Sequence, residues 1–288
     1  DLYVRSGAVA TKLHFPYILG RDLAGKVVAT GAAVKRFKIG DRVWATGQGW
    51  DGRQGTFSEL AAVDENWLNR IPGNVTDEDI AAVSLVGVTA HVGLVTKAKL
   101  KAGETLFVNG GTGGVGSSVV QMAKVIGARV ITTVGSDEKA ARVKELGADV
   151  VINYKTENVV DAIKKAAPDG VNVWWETLRE PDFDKAISLL TEHGRMIVMA
   201  GRDARPVFPV GPFYARSCSL FGFVILSASQ EELHAAAEDI NAWMSAGKLK
   251  AQIDRVLPLA QAAEAHRLQD ESTIKKTSAL AGKIVLKP

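Results

Sequence analysis

Cysteine is almost missing from this chain: among 288 residues there is only Cys218. A single thiol closes no intramolecular disulfide, and a cysteine-based zinc site needs several ligands. The composition therefore fits a reducing compartment, and the cytosol is the expected location. Histidine is scarce as well. There are five, none in a His-x-x-x-His pair, and His14 is the only one in the first 90 residues. Metal-assisted polarisation of an alcohol or carbonyl needs a cluster of such ligands facing a cleft, so no metal is expected. No Gly-x-Ser-x-Gly elbow and no P-loop occurs, which sets aside two common hydrolytic and phosphoryl-transfer designs. No uninterrupted apolar run approaches bilayer length; the run at Leu220–Leu226 is strand-sized. No basic, apolar-centred leader opens the sequence, and no membrane partner is expected. Excess charge is absent too: 35 Lys and Arg face 32 Asp and Glu, a net +3. That balance is no nucleic-acid signature. Lys97, Lys99 and Lys101, alternating before Gly103, read as a solvated face.

What is present describes a well-cored globular protein, 47% hydrophobic and 23% charged, long enough for two domains. Residues 1 to about 83 carry short β-like runs punctuated by glycine. Candidate strands are Lys26–Ala29, Val43–Ala45 and Phe57–Val63, a pattern of small barrels or sandwiches. Thr76–Asp79 opens a helix with acids in its first turn, and Ile80–Val95 supplies one or two helices. From Thr105 the rhythm changes. Strands at 105–108, 129–134, 150–152, 171–175, 195–200 and 219–226 alternate with helices at 115–126, 136–146, 158–167 and 183–190. That alternation predicts a doubly wound parallel sheet. After a helix at 230–245, the segments at 249–257, 261–269 and 283–286 leave the winding. The expected division is a β-rich domain of 1–83 with 252–288, and a dinucleotide-binding domain of 84–251.

Gly111-Thr112-Gly113-Gly114-Val115-Gly116 fits G-x-G-x-x-G between a strand and a helix, the context in which that pattern carries meaning. Glycines let the backbone turn tightly and approach a pyrophosphate, whose charge the helix N-terminus then holds. An enzyme selective for NAD places an acid at the end of the second strand, roughly twenty residues further on. Here Gly135 and Ser136 occupy that place, with Lys139 one turn into the helix and Tyr154 after the third strand. Small groups and a cation suit the 2′-phosphate of NADPH. Asp137 and Glu138 are the competing acids, and as first-turn residues they also suit the helix dipole.

Taken together, Tyr3-Val4-Arg5-Ser6-Gly7, Pro16–Gly25 (PYILGRDLAG), Phe37–Val43 (FKIGDRV), Asn109–Gly116 and Val151–Tyr154 resemble the medium-chain dehydrogenase/reductase superfamily, and within it the zinc-free quinone oxidoreductase, or zeta-crystallin-like, family. The zinc-free branch carries Gly-x-Asp/Glu, here Gly20-Arg21-Asp22, where zinc enzymes carry Gly-His-Glu. The resemblance implies an α/β chain with a GroES-like β-rich domain and a Rossmann domain, NADPH as cofactor, and a homodimer or higher homo-oligomer. It places Tyr3 beside the nicotinamide and the substrate, with Tyr3 and Arg5 as candidates to orient substrate. It places Thr89 near the nicotinamide amide, and Gly111–Gly116, with Thr112 to Val115 innermost, at the pyrophosphate. Gly135, Ser136, Lys139 and Tyr154 fall at the adenosine phosphate. Met199, Ala200, Gly201, Arg202, Phe223, Val224 and Ile225 fall along the cofactor cleft. Two departures stand out. Relatives carry a longer N-terminus, so the first domain is expected to be incomplete. Trp174–Pro181 also lacks the glycine-ended turn common after the fourth strand, and its paired tryptophans are expected to pack against the sheet.

The expected activity is zinc-independent reduction of quinones by NADPH. Reduction of conjugated enones or enoyl substrates with the same cofactor is the alternative, and a non-catalytic NADPH- or nucleic-acid-binding role is the alternative of another class. Quinones and enones delocalise the charge that hydride transfer creates, so they need little general acid help. A dimer contact is expected at the apolar edge strand near Leu220–Leu226.

Overall fold

The computed structural model describes residues 1–8, 14–273 and 280–288. The chain divides into two compact units, residues 1–88 with 228–288, and residues 89–227.

The first unit opens with a short helix, α1 (Leu2–Arg5). An antiparallel sheet follows in the order β1 (Leu23–Lys26), β2 (Arg42–Ala45), β3 (Asn69–Arg70). Val43 and Ala45, on one face of β2, pack with Phe37 and Leu68 in a small core. Helix α2 (Asp77–His91) starts with Asp77, Glu78 and Asp79 in its first turn, and Asp77 also pairs with Arg42. From Val92 to Lys97 it continues as a π-helical turn. The joined stretch Asp77–Lys97 is 21 residues, long and apolar enough to cross a bilayer by composition, with 67% of its apolar window buried inside the protein. Apolar length greater than any uninterrupted run suggests thus exists, assembled from apolar residues spaced by a few polar ones.

The second unit is the doubly wound one. Its elements are β4 (Thr105–Val108), α3 (Gly114–Ile126), β5 (Arg129–Val134), α4 (Asp137–Glu145), β6 (Val150–Asn153), α5 (Val159–Ala166), β7 (Val171–Glu176), α6 (Phe183–Ser188), β8 (Leu190–Val198), α7 (Val210–Ala215) and β9 (Ser219–Gly222). The strands form one parallel sheet in the order β6-β5-β4-β7-β8-β9. The chain reverses direction across the sheet between β4 and β7, where such sheets open a crevice at their carboxyl edge. Burial on both faces explains why the strands read as continuous apolar runs. Phe107, Ile131, Ile152 and Trp174 join Ile163 of α5 in one core cluster, while Val119, Met122 and Ala123 of α3 are fully buried. Side chains start the helices: Ser136 caps α4, Asn158 caps α5 and Asp182 caps α6. Gly127 in the left-handed conformation (φ 94°) ends α3.

The chain then returns to the first unit with α8 (Gln230–Ser245), β10 (Ile253–Pro258), α9 (Ala262–Thr273) and β11 (Lys283–Lys287), the two strands pairing in parallel. Here the expected domain boundary of 84–251 is corrected. Helix α8 groups with the β-rich unit. Asn241 accepts from Trp44 Nε1 at 3.1 Å and donates to the Arg70 carbonyl at 2.9 Å, and Ser245 exchanges hydrogen bonds with Asn74. Four local expectations are also corrected. The first strand ends at Lys26 rather than running over 26–29. Segment 57–63 has strand composition but no ladder; at its start the Thr56 and Phe57 N–H groups bond the Leu19 carbonyl. The fifth sheet strand begins at Leu190, and the sixth stops at Gly222, where Ile225–Ser227 turns into a 3-10 helix. Segment 57–63 instead lines a groove of about 840 Å³ with β1 and β11.

Candidate dinucleotide-binding site

Each predicted cofactor residue of the second unit after Thr89 lies at the carboxyl edge of the parallel sheet. The glycine loop follows β4, Gly135 to Lys139 follows β5, Tyr154 follows β6, Met199 to Arg202 follows β8 and Phe223 to Ile225 follows β9. Thr89 is buried in α2.

The glycines have separable jobs. Gly110 takes φ 89°, and a Cβ on Gly111 would overlap the Thr132 hydroxyl. A Cβ on Gly116 would overlap the Gly110 carbonyl oxygen, so this glycine lets α3 press against the turn. Gly113 differs. It is the N-cap of α3, with φ −69° and ψ 167°, and no side chain caps the helix. A Cβ there would meet only the Gly110 oxygen, at 3.8 Å. The first-turn N–H groups of Gly114, Val115 and Gly116 have no intrahelical acceptor. Helices α4, α5 and α6 satisfy such donors with their own side chains, whereas this one presents them beside an open glycine. An anion with several oxygens fits that cradle.

Beneath the loop lies a buried network that sequence reasoning missed. Glu176, 1% exposed at the end of β7, accepts from Asn109 Nδ2 at 3.0 and 3.1 Å, from Trp174 Nε1 at 3.1 Å and from the Leu178 N–H at 2.8 Å. Asn109 Oδ1 accepts from the Thr133 hydroxyl at 2.9 Å, and that hydroxyl accepts from the Gly110 N–H at 3.0 Å. Thr177 donates to the Asn109 carbonyl. A carboxylate accepts only, which forces the Asn109 amide to turn its NH₂ toward Glu176 and its oxygen toward Thr133. Thr133 then has a lone pair left for Gly110. The ends of β4, β5 and β7 and the start of the glycine loop are thereby held in one polarity. The visible signal was a charged residue closing the apolar run Val171–Trp175.

After β5, Ser136 Oγ accepts from the Lys139 N–H at 3.3 Å as the α4 cap, leaving its own proton to donate. A Cβ on Gly135 would overlap the hydroxyl of Tyr154, which follows β6 and is 54% exposed. Asp137 accepts from Asn153 Nδ2 at 3.1 Å. Gly201 takes φ 84° against the Arg179 carbonyl. Trp174 packs on Phe107 with ring centroids 4.1 Å apart and planes tilted by 40°, and Trp175 meets Phe223 edge-on at 6.5 Å. Both tryptophans are fully buried, so they pack as expected.

In the first unit Tyr3 is 44% exposed on α1. Arg5 forms an ion pair with Asp270 of α9, which ties the two helices together. No group of three or more metal-ligating side chains occurs among the described residues.

The parallel sheet with its 3-2-1-4-5-6 strand order, the uncapped glycine turn at its crevice and the β-rich partner unit define a two-domain NAD(P)-dependent oxidoreductase. Residues 1–73 match the alcohol dehydrogenase GroES-like domain family, and residues 114–242 match the zinc-binding dehydrogenase family. Quinone oxidoreductase from Pongo abelii is 32% identical over 287 residues, covering 99% of this chain and 84% of its own. A chloroplastic NADPH-dependent alkenal/one oxidoreductase from Arabidopsis thaliana is 32% identical over 284 residues, covering 97% and 66%. Among solved structures, an NAD-dependent alcohol dehydrogenase superposes with a TM-score of 0.88 at 30% identity, covering 100% and 88% of the two chains. Escherichia coli quinone oxidoreductase complexed with NADPH gives 0.85 at 27% identity, covering 100% and 87%. The chain belongs to the quinone oxidoreductase family of medium-chain dehydrogenases/reductases.

Proposed function

We propose that this enzyme reduces quinones with NADPH and without zinc. The observation that carries the cofactor choice is that Gly135 and Ser136 follow β5, with Lys139 one turn into α4. Neither Gly135 nor Ser136 supplies the carboxylate that would bond a ribose 2′-hydroxyl and repel a 2′-phosphate. The free proton of Ser136 and the ammonium of Lys139 suit a phosphate in the same place. Gly113 and the first-turn amides of α3 receive the pyrophosphate, and the Glu176–Asn109–Thr133 relay holds the loop in the binding shape. The bound cofactor supplies a hydride to the acceptor. Tyr3 is the residue proposed to orient the acceptor, while Arg5 acts mainly by fixing α1 through Asp270. Zinc independence is supported by Arg21, a guanidinium that cannot ligate a cation, at the motif position where zinc members carry histidine. Reduction of conjugated enones is the second reading, favoured by the likeness to the alkenal/one oxidoreductase.

Fluorescence titration with NADPH and NADH, repeated on Lys139→Ala, tests the cofactor assignment. NADPH binding tighter by about tenfold or more, collapsing toward the NADH value in the variant, is the expected result. Equal binding of the two cofactors would instead make Asp137 a ribose ligand and overturn the choice of NADPH. Steady-state oxidation of NADPH by matched quinones and enones assigns the acceptor class.

A further inference from the structure

Two arginines in the first unit use few of their N–H donors among the described residues. Arg53 donates through Nη2 to the Gly47 carbonyl at 3.2 Å, and its Nε is buried without an acceptor. Arg21 donates through Nη1 to the Gln48 carbonyl at 3.4 Å. A guanidinium has five N–H donors, and neither forms an ion pair among the described residues. Asp22 and Asp51 offset part of this charge through space without forming an ion pair with either arginine. Asp22 accepts from Thr46 Oγ1 at 2.6 Å and faces Lys283 Nζ at 3.7 Å, while Asp51 is exposed and makes no ion pair with Arg53. Burial lowers the pKa of both guanidinium groups; Tyr17 and Asp22 oppose this at Arg21, and at Arg53 Asp51 opposes it while the charge of Arg21 adds to it. Two like charges held together and partly dried are costly unless a counter-charge joins them.

The surroundings indicate the shape of that counter-charge. Arg53 lies 4.1 Å over the Trp67 ring, and Arg21 lies 5.5 Å from the Trp50 ring centroid. The loop between them is fixed in advance. Gly47 and Gly49 take φ 73° and 62°, and the Tyr17 hydroxyl donates to the Gly49 carbonyl at 2.7 Å. Flat indoles and forked donors together favour a flat, unsaturated body bearing an oxyanion. We propose that Arg21 and Arg53, with Trp50 and Trp67, recognise a planar anionic acceptor: a quinone or enone that carries a carboxylate, sulfonate or ionised hydroxyl group. This inference names the substrate class and rests on the quinone or enone reductase reading above.

The test compares 1,2-naphthoquinone-4-sulfonate with neutral 1,2-naphthoquinone, and measures naphthalene-2-sulfonate binding to the full chain by calorimetry. The wild-type ratio of kcat/KM, anionic over neutral, is expected to be about tenfold or more, falling toward unity in Arg53→Gln and Arg21→Gln. Arg53→Lys, which keeps the charge without the fork, is expected in between. Lys144→Gln, an exposed lysine of α4, keeps the wild-type ratio. Thermal melts and NADPH affinity report whether each variant is folded. A wild-type ratio near one, or an unchanged ratio in Arg53→Gln, overturns the proposal while leaving quinone reduction standing. If no quinone or enone is reduced, the function reading fails, and calorimetry still decides the anion site. Sulfonate binding that weakens about tenfold in folded Arg53→Gln sustains the site; binding that is absent or insensitive to both arginines overturns it.

Discussion

Two neighbouring glycines of the cofactor loop respond oppositely to the same added methyl group. In Gly116→Ala the new Cβ overlaps the Gly110 carbonyl oxygen and sits 3.1 Å from both the Gly110 carbonyl carbon and Gly111 Cα. These are backbone atoms and cannot rotate aside, so α3 and the turn must separate. Overpacking of this kind costs about 1–3 kcal/mol, offset by about 0.5–1 kcal/mol because alanine suits a helix better than glycine. A net loss of about 1–2 kcal/mol is expected, a fall of about 2–4 °C in Tm. In Gly113→Ala the nearest atom is 3.8 Å away and the backbone angles suit any residue. Stability should stay within about 0.5 kcal/mol of wild type. The methyl instead takes the place of a phosphate oxygen, and NADPH affinity should fall about tenfold to a hundredfold. Thermal melts followed by circular dichroism, beside NADPH fluorescence titrations, separate the two effects. Normal NADPH binding by a stable Gly113→Ala would refute the assignment of this cradle to the pyrophosphate, and an unshifted melt for Gly116→Ala would refute the packing argument.

Two further outcomes follow from buried groups elsewhere. Glu176→Gln puts an amide N–H₂ among donors from Asn109, Trp174 and Leu178, and should lower stability by about 1–3 kcal/mol while weakening NADPH binding; an unchanged urea midpoint would refute the network. His266, 8% exposed and packed 5.7 Å from the Phe57 ring, has its pKa lowered by burial and then by Arg5, against the opposing pull of Asp270. The unfolded chain therefore binds the proton first as pH falls, and stability should decline below the ordinary histidine value of about 6.5. Urea midpoints measured from pH 7.5 to 5 should fall less steeply in His266→Phe; parallel slopes would show that another group titrates.

The second unit was far more legible in the sequence than the first. Its strands are buried on both faces and its helices start with Ser136, Asn158 and Asp182, so local composition and local caps agree with the tertiary structure. The glycine loop could be read because its meaning depends on a strand before it and a helix after it, both of which announce themselves. In the first unit the strands are two to four residues long in the leading sheet, and whether a segment becomes a strand depends on a distant partner. Phe57–Val63 has the composition of a strand, yet the N–H groups leading into it turn to Leu19. Helix α8 looked like the next turn of the winding because its own pattern carries no record of Trp44, Arg70 and Asn74, which it bonds. Glu176 was visible as an odd charge, but its partners at 109 and 133 meet it only when three strands lie side by side. Arg53 carried no signal in the sequence, and Arg21 stood out only within Gly20-Arg21-Asp22; the fold places both against indoles.

The relay from Glu176 through Asn109 to Thr133 also bears on how this chain can change over time. Each member is matched only because the next has a fixed polarity, so an exchange at one position strands a buried donor or acceptor at another. Residues that are 24 and 67 positions apart in the chain are thus coupled: a single exchange in the trio carries the cost of a stranded partner, which only a matched change at the others relieves.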